Sequence, residues 1–337
     1  MSDSKSGPIE RPVQIAGGST FTISLPKEWG VAQRLEKGDP LYIYEESDRL
    51  VVTTSTLDGA ERVTRIEMTD LDAPMLESRL KSAYIEGYTE IRIRGREAVS
   101  DDLVRAVFRT VDSLLGMEVS DTSDGVVIRD YLDPGAMSLE RSLVQMRRLA
   151  LGMQRDAVES VRVNDETLAQ QVVSRDDHVD RLVAFFARTL HRGLVTASRL
   201  AALDLDRSTA LYYFKIARQF EQIADRAERV TDITKTQSSP PEGPMADRLT
   251  GLITTACTVA EQGFRADHAT ATDTYNDLMG RIDAVEYELA RCSDPDSYWY
   301  GTVVESARAT ARLGLNILNI TIETAANESL PLGLPDK

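Results

Sequence analysis

From about residue 137 to about residue 328, apolar residues recur every three to four positions, and a single stretch interrupts the pattern, Gln237-Ser238-Ser239-Pro240-Pro241-Glu242-Gly243-Pro244. No other feature limits the fold so strongly. A helix with one apolar stripe must bury that stripe against another element, so these segments have to pack on each other. The spacing predicts helices over about 137–162, 164–197 and 207–234 before the break, and over about 244–264, 269–291 and 298–327 after it. The halves also share residue patterns. Arg175-Asp176-Asp177-His178-Val179-Asp180 matches Arg281-Ile282-Asp283-Ala284-Val285-Glu286, and Asp232-Ile233-Thr234 matches Asn319-Ile320-Thr321. This self-similarity implies duplication, and the expected arrangement is a pair of tandem three-helix bundles over 137–236 and 244–330.

Upstream, the period changes twice. Residues 58–134 read as a small α+β domain, with a strand over Val63 to Met68, a helix over Ala73 to Ile85 and a strand over Glu90 to Ile93. Ser100 followed by Asp101 and Asp102 opens a second helix through Leu103, Val107, Val111 and Leu115, and strands near Val119 and Val126 to Ile128 close the domain. Asp133-Pro134-Gly135 marks its end. No glycine-rich phosphate loop follows a strand there and no nucleophile motif occurs, so a spacer or dimerisation role is expected.

Residues 1–57 alternate apolar and polar side chains as half-buried strands do. Val13 and Ile15 lead into Gly17-Gly18, and Phe21, Ile23 and Leu25 follow. Pro26 opens a short helix; Gly38-Asp39 then turns the chain into Leu41 and Ile43, and Glu46-Ser47-Asp48 into Leu50, Val51 and Val52. Two hairpins joined by a helical turn cannot bury their own apolar faces at this size. Val13-Gln14-Ile15, Gly17-Gly18-Ser19, Ile23-Ser24-Leu25-Pro26-Lys27 and Leu35 to Gly38-Asp39 resemble the AbrB (SpoVT/AbrB) family of swapped-hairpin DNA-binding domains. The resemblance implies a homodimer formed through this domain, and DNA as a partner. The chain is thus read as multidomain: an N-terminal swapped-hairpin β domain, a small α+β domain, then all-α tandem three-helix bundles.

At 337 residues, 42% hydrophobic and 28% charged, the chain has ordinary globular composition. No apolar run is long enough to span a bilayer and the first residues carry no signal-peptide core, so a cytoplasmic location without membrane insertion is expected. Cys257 and Cys292 are too few for a disulfide framework or a thiolate metal site. The 39 basic and 54 acidic residues give a formal charge of -15, which opposes non-specific adhesion to nucleic acid or anionic lipid. The scarcity of Lys beside Arg and Asp favours adaptation to a salty, halophilic cytoplasm over a dedicated acidic surface.

Residues four apart share a helix face, so Asp176 with Asp180, and Glu221 with Asp225, each present two carboxylates side by side. Packed antiparallel, the two helices would bring four carboxylates together, a donor set suited to Mg, Mn or Fe rather than zinc. The alternative is a solvated acidic face, continued through Glu228 and Asp232. Asp176 is the harder residue to explain in that way, because it interrupts the apolar spine of Val172, Val179, Val183, Phe186 and Leu190, and a lone buried carboxylate is costly. Asp176-Asp177-His178-Val179-Asp180-Arg181-Leu182 and Glu221-Gln222-Ile223-Ala224-Asp225-Arg226-Ala227 resemble the acid, three residues, Asp signature of the PhoU family. That resemblance, of archaeal type given the N-terminal domain, covers both helical halves. It implies a divalent or trivalent metal held by Asp176, Asp180, Glu221 and Asp225. It also implies negative control of phosphate uptake through contact with phosphate transporter components or a signalling protein.

The second half departs from the signature. Glu221 and Asp225 fall on Arg308 and Arg312, and Asp176 falls on Ile282, so at most one metal site per chain is expected. The two arginines either bind an anion or acidic partner, or pair with neighbouring acids. His178, two positions from each Asp of its pair, points elsewhere and is not a ligand. No Glu-x-x-His pair occurs, and His191 and His268 have no triad partners, so no catalysis is expected. For DNA, the N-terminal residues offer Arg11, Lys27, Arg34 and Arg49 among several acids, with no basic stripe. Arg11, Lys27 and Arg34 are the expected contacts, and dimerisation would double them. The function expected is DNA-binding transcriptional regulation of phosphate homeostasis; the alternative is a metal-binding scaffold acting by protein contact alone.

Overall fold

The computed structural model describes residues 8–18, 20–46, 49–54, 62–69, 71–95, 101–122, 125–132, 137–195, 205–237, 239–240, 244–291 and 297–325. Ser19, Ser47, Asp48, Ser100, Asp133-Pro134-Gly135 and Cys292, each used in the sequence reading, lie outside them. The chain divides into two compact units, Met1–Ala60 and Glu61–Lys337.

In the first unit β1 (Gln14–Ala16) pairs antiparallel with β2 (Thr20–Thr22), placing Ile15 opposite Phe21. Gly17 and Gly18 supply the turn, with φ of 63° and 83° that L-residues rarely adopt. The short helix α1 (Lys27–Ala32) follows Pro26. Then β3 (Tyr42–Glu46) pairs with β4 (Arg49–Thr53), setting Ile43 opposite Val52 and Tyr44 opposite Val51. The unit leaves its apolar side chains in water: Phe21 is 76% exposed, Ile15 68%, Val31 68%, Val13 61% and Ile43 61%.

The second unit begins with a four-stranded sheet in the order β5-β6-β8-β7. β5 (Val63–Glu67) lies parallel to β6 (Glu90–Arg94), and α2 (Ala73–Ile85) makes the crossover. Asp72 caps α2 by accepting from the Met75 N–H at 2.8 Å. Leu76, Leu80, Ala83 and Tyr84 form its buried stripe. After α3 (Asp101–Asp112), β7 (Met117–Thr122) and β8 (Gly125–Asp130) close the sheet antiparallel.

The helical region comprises α4 (Leu139–Val163), α5 (Glu166–Val195) and α6 (Arg207–Thr236), then α7 (Pro244–Phe264), α8 (His268–Leu289) and α9 (Ser297–Ala325). These ends fall within three residues of the sequence expectation. The two sets of three share one continuous apolar core, to which all six helices contribute. At its centre the fully buried Gln154 of α4 donates to the Ile223 carbonyl on α6, 2.7 Å, and accepts from the Ser306 hydroxyl on α9, 3.1 Å. Gly263 of α7 and Gly314 of α9 permit a close crossing: a Cβ on Gly314 would stand 2.7 Å from Ala260 backbone atoms. Among the described residues no helix is long and apolar enough to cross a membrane.

The α+β layer is fastened to α5 by a buried ionic node. Asp130, at the end of β8, accepts from Arg188 at 2.6 Å and from Arg192 at 2.9 Å. Arg188, only 2% exposed, also donates to the Tyr84 carbonyl and to the Tyr88 carbonyl, 2.9 Å, and lies over the Tyr84 ring. Five donors in a planar fork satisfy this set of acceptors as no lysine can.

Candidate acidic site on the first helical set

Asp176 and Asp180 stand one turn apart on α5; Glu221, Asp225 and Glu228 occupy one stripe of α6. Asp176 lies in the field of Glu228 and Asp225, Asp180 in that of Asp225, and Glu221 in that of Asp225 and Asp180. As the number rises on α5, the facing number falls on α6, so the two helices run antiparallel with their acids turned to one another. The apolar spine around Asp176 is buried, including Val172 and Val179.

Burial pushes the half-buried Asp176 carboxyl up to about 7, helped by Asp180, Glu228, Asp225 and Asp177. Its Oδ1 is sealed from water with no hydrogen-bond partner. Glu221 is raised first by burial, against the pull of Arg218, which donates to its Oε1 at 2.6 Å, while its Oε2 is sealed and unpartnered. Asp180, exposed at the rim, is raised by desolvation and by Asp225 and Asp177, against Lys81 and Arg218. The donors are all oxygens, and two of them are buried orphans, which is the chemistry a hard cation needs. Among the described residues, however, no three acidic, histidine or cysteine side chains are already gathered into an ion cage. His178, exposed, turns its Nδ1 to the Ser174 carbonyl at 3.3 Å, away from the acids.

Asp180 and Glu221 open on a cleft of about 690 Å³ between the α2–α3 layer and the α5–α6 pair, with Lys81, Arg109, Arg181 and Arg218 in its walls. The sequence reading missed this wall, because α2 and α5 are far apart in the chain and no local pattern records their meeting.

Residues 143–234 match the family model of the PhoU domain. The matched stretch runs from α4 to the last turn of α6 and contains all four acidic candidates. Among solved structures, this chain is similar to the phosphate transport system regulatory protein PhoU from Streptococcus pneumoniae, at 12% identity over 57% of this chain and 95% of that one, with a TM-score of 0.45. It is also similar to PhoU from Pseudomonas aeruginosa, at 18% identity over 56% of this chain and 96% of that one, with a TM-score of 0.39. A search of curated proteins finds no match.

Beyond the PhoU-domain match, the positions that the sequence pattern aligns with the acidic ones carry other chemistry in the second helical set. Val285, like Val179, is buried, but the Asp176 position holds Ile282, fully buried. Arg308, in the Glu221 position, pairs with Glu286, in the Asp180 position, at 2.8 Å, and with Glu305 at 3.0 Å. The cross-helix confrontation of two carboxylates has become an ion pair. Of the two readings of this arginine, pairing with neighbouring acids is the one seen. The repeat also shows where the sequence was silent: Arg175 of α5 reaches Asp156 on α4 at 2.6 Å, and Arg281 of α8 reaches Thr255 on α7 at 2.7 Å.

Arg11, Lys27 and Arg34 are all exposed in the first unit, ahead of β1, at the first position of α1 and just past its end. Arg34 adopts φ of 59°, left-handed backbone that turns the chain after α1.

Proposed function

We propose that this chain is a dimeric regulator of phosphate uptake. The PhoU-domain match over the helices that carry the facing acids is the observation that supports this reading most directly. In it, Asp176, Asp180, Glu221 and Asp225 hold a Mg, Mn or Fe ion, with Arg218 releasing Glu221 and side-chain rotation closing the shell. A bound cation supplies the positive charge that these carboxylates lack. It satisfies Asp176 Oδ1 and Glu221 Oε2, and so rigidifies α5 against α6. Elemental analysis of purified protein tests this reading: bound metal is expected in the natural chain and lost in Glu221→Ala/Asp225→Ala. Equal metal content in the two would refute it.

The N-terminal unit, on this reading, closes with that of a second copy and presents Arg11, Lys27 and Arg34 to DNA. Its support is the row of exposed apolar side chains, from Val13 to Ile43, which a partner hairpin would cover. Control of the phosphate transporter by protein contact without DNA is the second reading. The formal charge of -15 favours it, since that charge weakens any phosphate-backbone contribution to binding. A pull-down from phosphate-replete cells, followed by footprinting at physiological salt, separates the two. Transporter subunits without protected DNA would remove the DNA role; protected sites beside phosphate-transport genes would establish it.

A further inference from the structure

The second helical set carries its own cleft, of about 740 Å³, where α6, α8 and α9 meet. It is the counterpart, by sequence offset, of the cleft on which Asp180 and Glu221 open. Glu286 lines it in the Asp180 position, and the offset that puts Glu221 on Arg308 puts Arg218 on Glu305 and Phe214 on Gly301, both lining residues. Beside the clefts, three exchanges move the second away from cations: Asp176 is replaced by Ile282, Glu221 by Arg308 and Asp225 by Arg312. The exchange of Arg218 for Glu305 runs the other way, and Glu305 is held by Arg308. Phe214, which fills space in the first cleft, becomes Gly301, where an added Cβ would meet nothing within 4 Å.

Two guanidiniums line this cleft from α6. Arg226 and Arg229 both line it, and three residues apart they share a helix face, about 100° round the helix from the acidic stripe. Among the described residues neither forms an ion pair or a side-chain hydrogen bond. Arg226 is half-buried and Arg229 exposed, and in a chain with 54 acids to 39 bases neither has a carboxylate partner among the described residues. The carboxylates that do line the cleft, Glu286 and Glu305, are both held by Arg308. Thr302 adds a hydroxyl beside the open Gly301.

We propose that this cleft binds an oxyanion of the phosphate class, gripped by Arg226 and Arg229. Planar guanidiniums match such oxygens with paired, charge-assisted hydrogen bonds. Helix α6 thus contributes to two clefts: in one, Asp180 and Glu221 stand among Lys81, Arg109, Arg181 and Arg218; in the other, Arg226 and Arg229 stand beside carboxylates already held by Arg308. The anion comes either as free inorganic phosphate or as a phosphate monoester on a small molecule.

Equilibrium dialysis on the full chain in the presence of a chelator tests the proposal, with inorganic phosphate in one arm and adenosine monophosphate in the other. Binding in either arm, weakened at least tenfold in Arg226→Gln/Arg229→Gln and again in Gly301→Phe, supports the proposal and identifies the source. The phenylalanine copies the residue at the repeat position and enters open space, so that variant keeps its fold, which circular dichroism verifies. Arg312→Gln, outside the cleft lining, keeps full binding. The proposal is overturned if neither anion binds at about 10 mM, or if both variants bind as the natural chain does. It is equally overturned if Asp225→Asn abolishes binding while the arginine variants do not.

Discussion

Replacing Asp176 by Asn should change how the stability of this protein responds to pH. Between an ordinary value of 3.8 and about 7, the folded chain holds a proton on Asp176 that the unfolded chain has released. Stability therefore falls as pH rises through that window, is fully present below it, and is lower by a constant amount above it. Taken whole, the rise corresponds to ~4 kcal/mol at about 1.4 kcal/mol per tenfold change in proton binding. Asp176 is half-buried rather than sealed, and solvent screening brings the expected effect down to about 1–2 kcal/mol. Urea titrations of chelator-treated protein at pH 4, 5.5, 7 and 8 read it directly. The natural chain should lose stability along the series more steeply than Asp176→Asn, the two being equal at pH 4 and the variant more stable by about 1–2 kcal/mol at pH 8. Asp176→Ile, which copies the fully buried Ile282 of the repeat, should gain as much. Parallel curves for natural chain and Asn variant would show that Asp176 does not titrate in this window and would refute the account of a desolvated carboxyl facing other acids.

Other consequences are equally direct. Arg188→Met removes a donor from the buried Asp130 and from the Tyr84 and Tyr88 carbonyls, and should cost about 3 kcal/mol in urea titrations; a loss below about 0.5 kcal/mol would mean the node is not a fastening. Gly314→Ala drives a methyl toward Ala260 backbone atoms at 2.7 Å and should lower stability by about 1–3 kcal/mol, since backbone cannot rotate away. Phe21→Asp, at a side chain 76% exposed in the single chain, should convert a dimer to a monomer in sedimentation velocity without altering helical content. A natural chain that sediments as a monomer at micromolar concentration would remove the dimer from the proposed function.

Much of the helical region could be read directly. The ends of α6 and α7 fall within two residues of the expected ones because capping residues and proline fix them locally: Asp206 accepts from the Thr209 N–H at 2.7 Å, and Pro244 opens α7. The order of strands and helices in the α+β layer was legible for the same reason. The facing of Asp176 and Asp180 with Glu221 and Asp225 was foreseeable from spacing, provided the helices ran antiparallel. The Arg218 ion pair, the Lys81 wall and the lack of partners for Arg226 and Arg229 among the described residues were not, since each depends on which helix face meets which neighbour.

Sequence alone therefore determined the elements and their amphipathic faces, because hydrophobic period and caps act over a few residues. Tertiary structure decided that the six helices share one core through Gln154 and the glycine crossing of α7 on α9. It also decided that Glu286 answers Arg308 where Asp180 answers Glu221 and, among the described residues, which charges remain without a partner. Those outcomes turn on distances between residues up to 152 positions apart in the chain, and electrostatics and packing respond to such distances, not to order along the sequence.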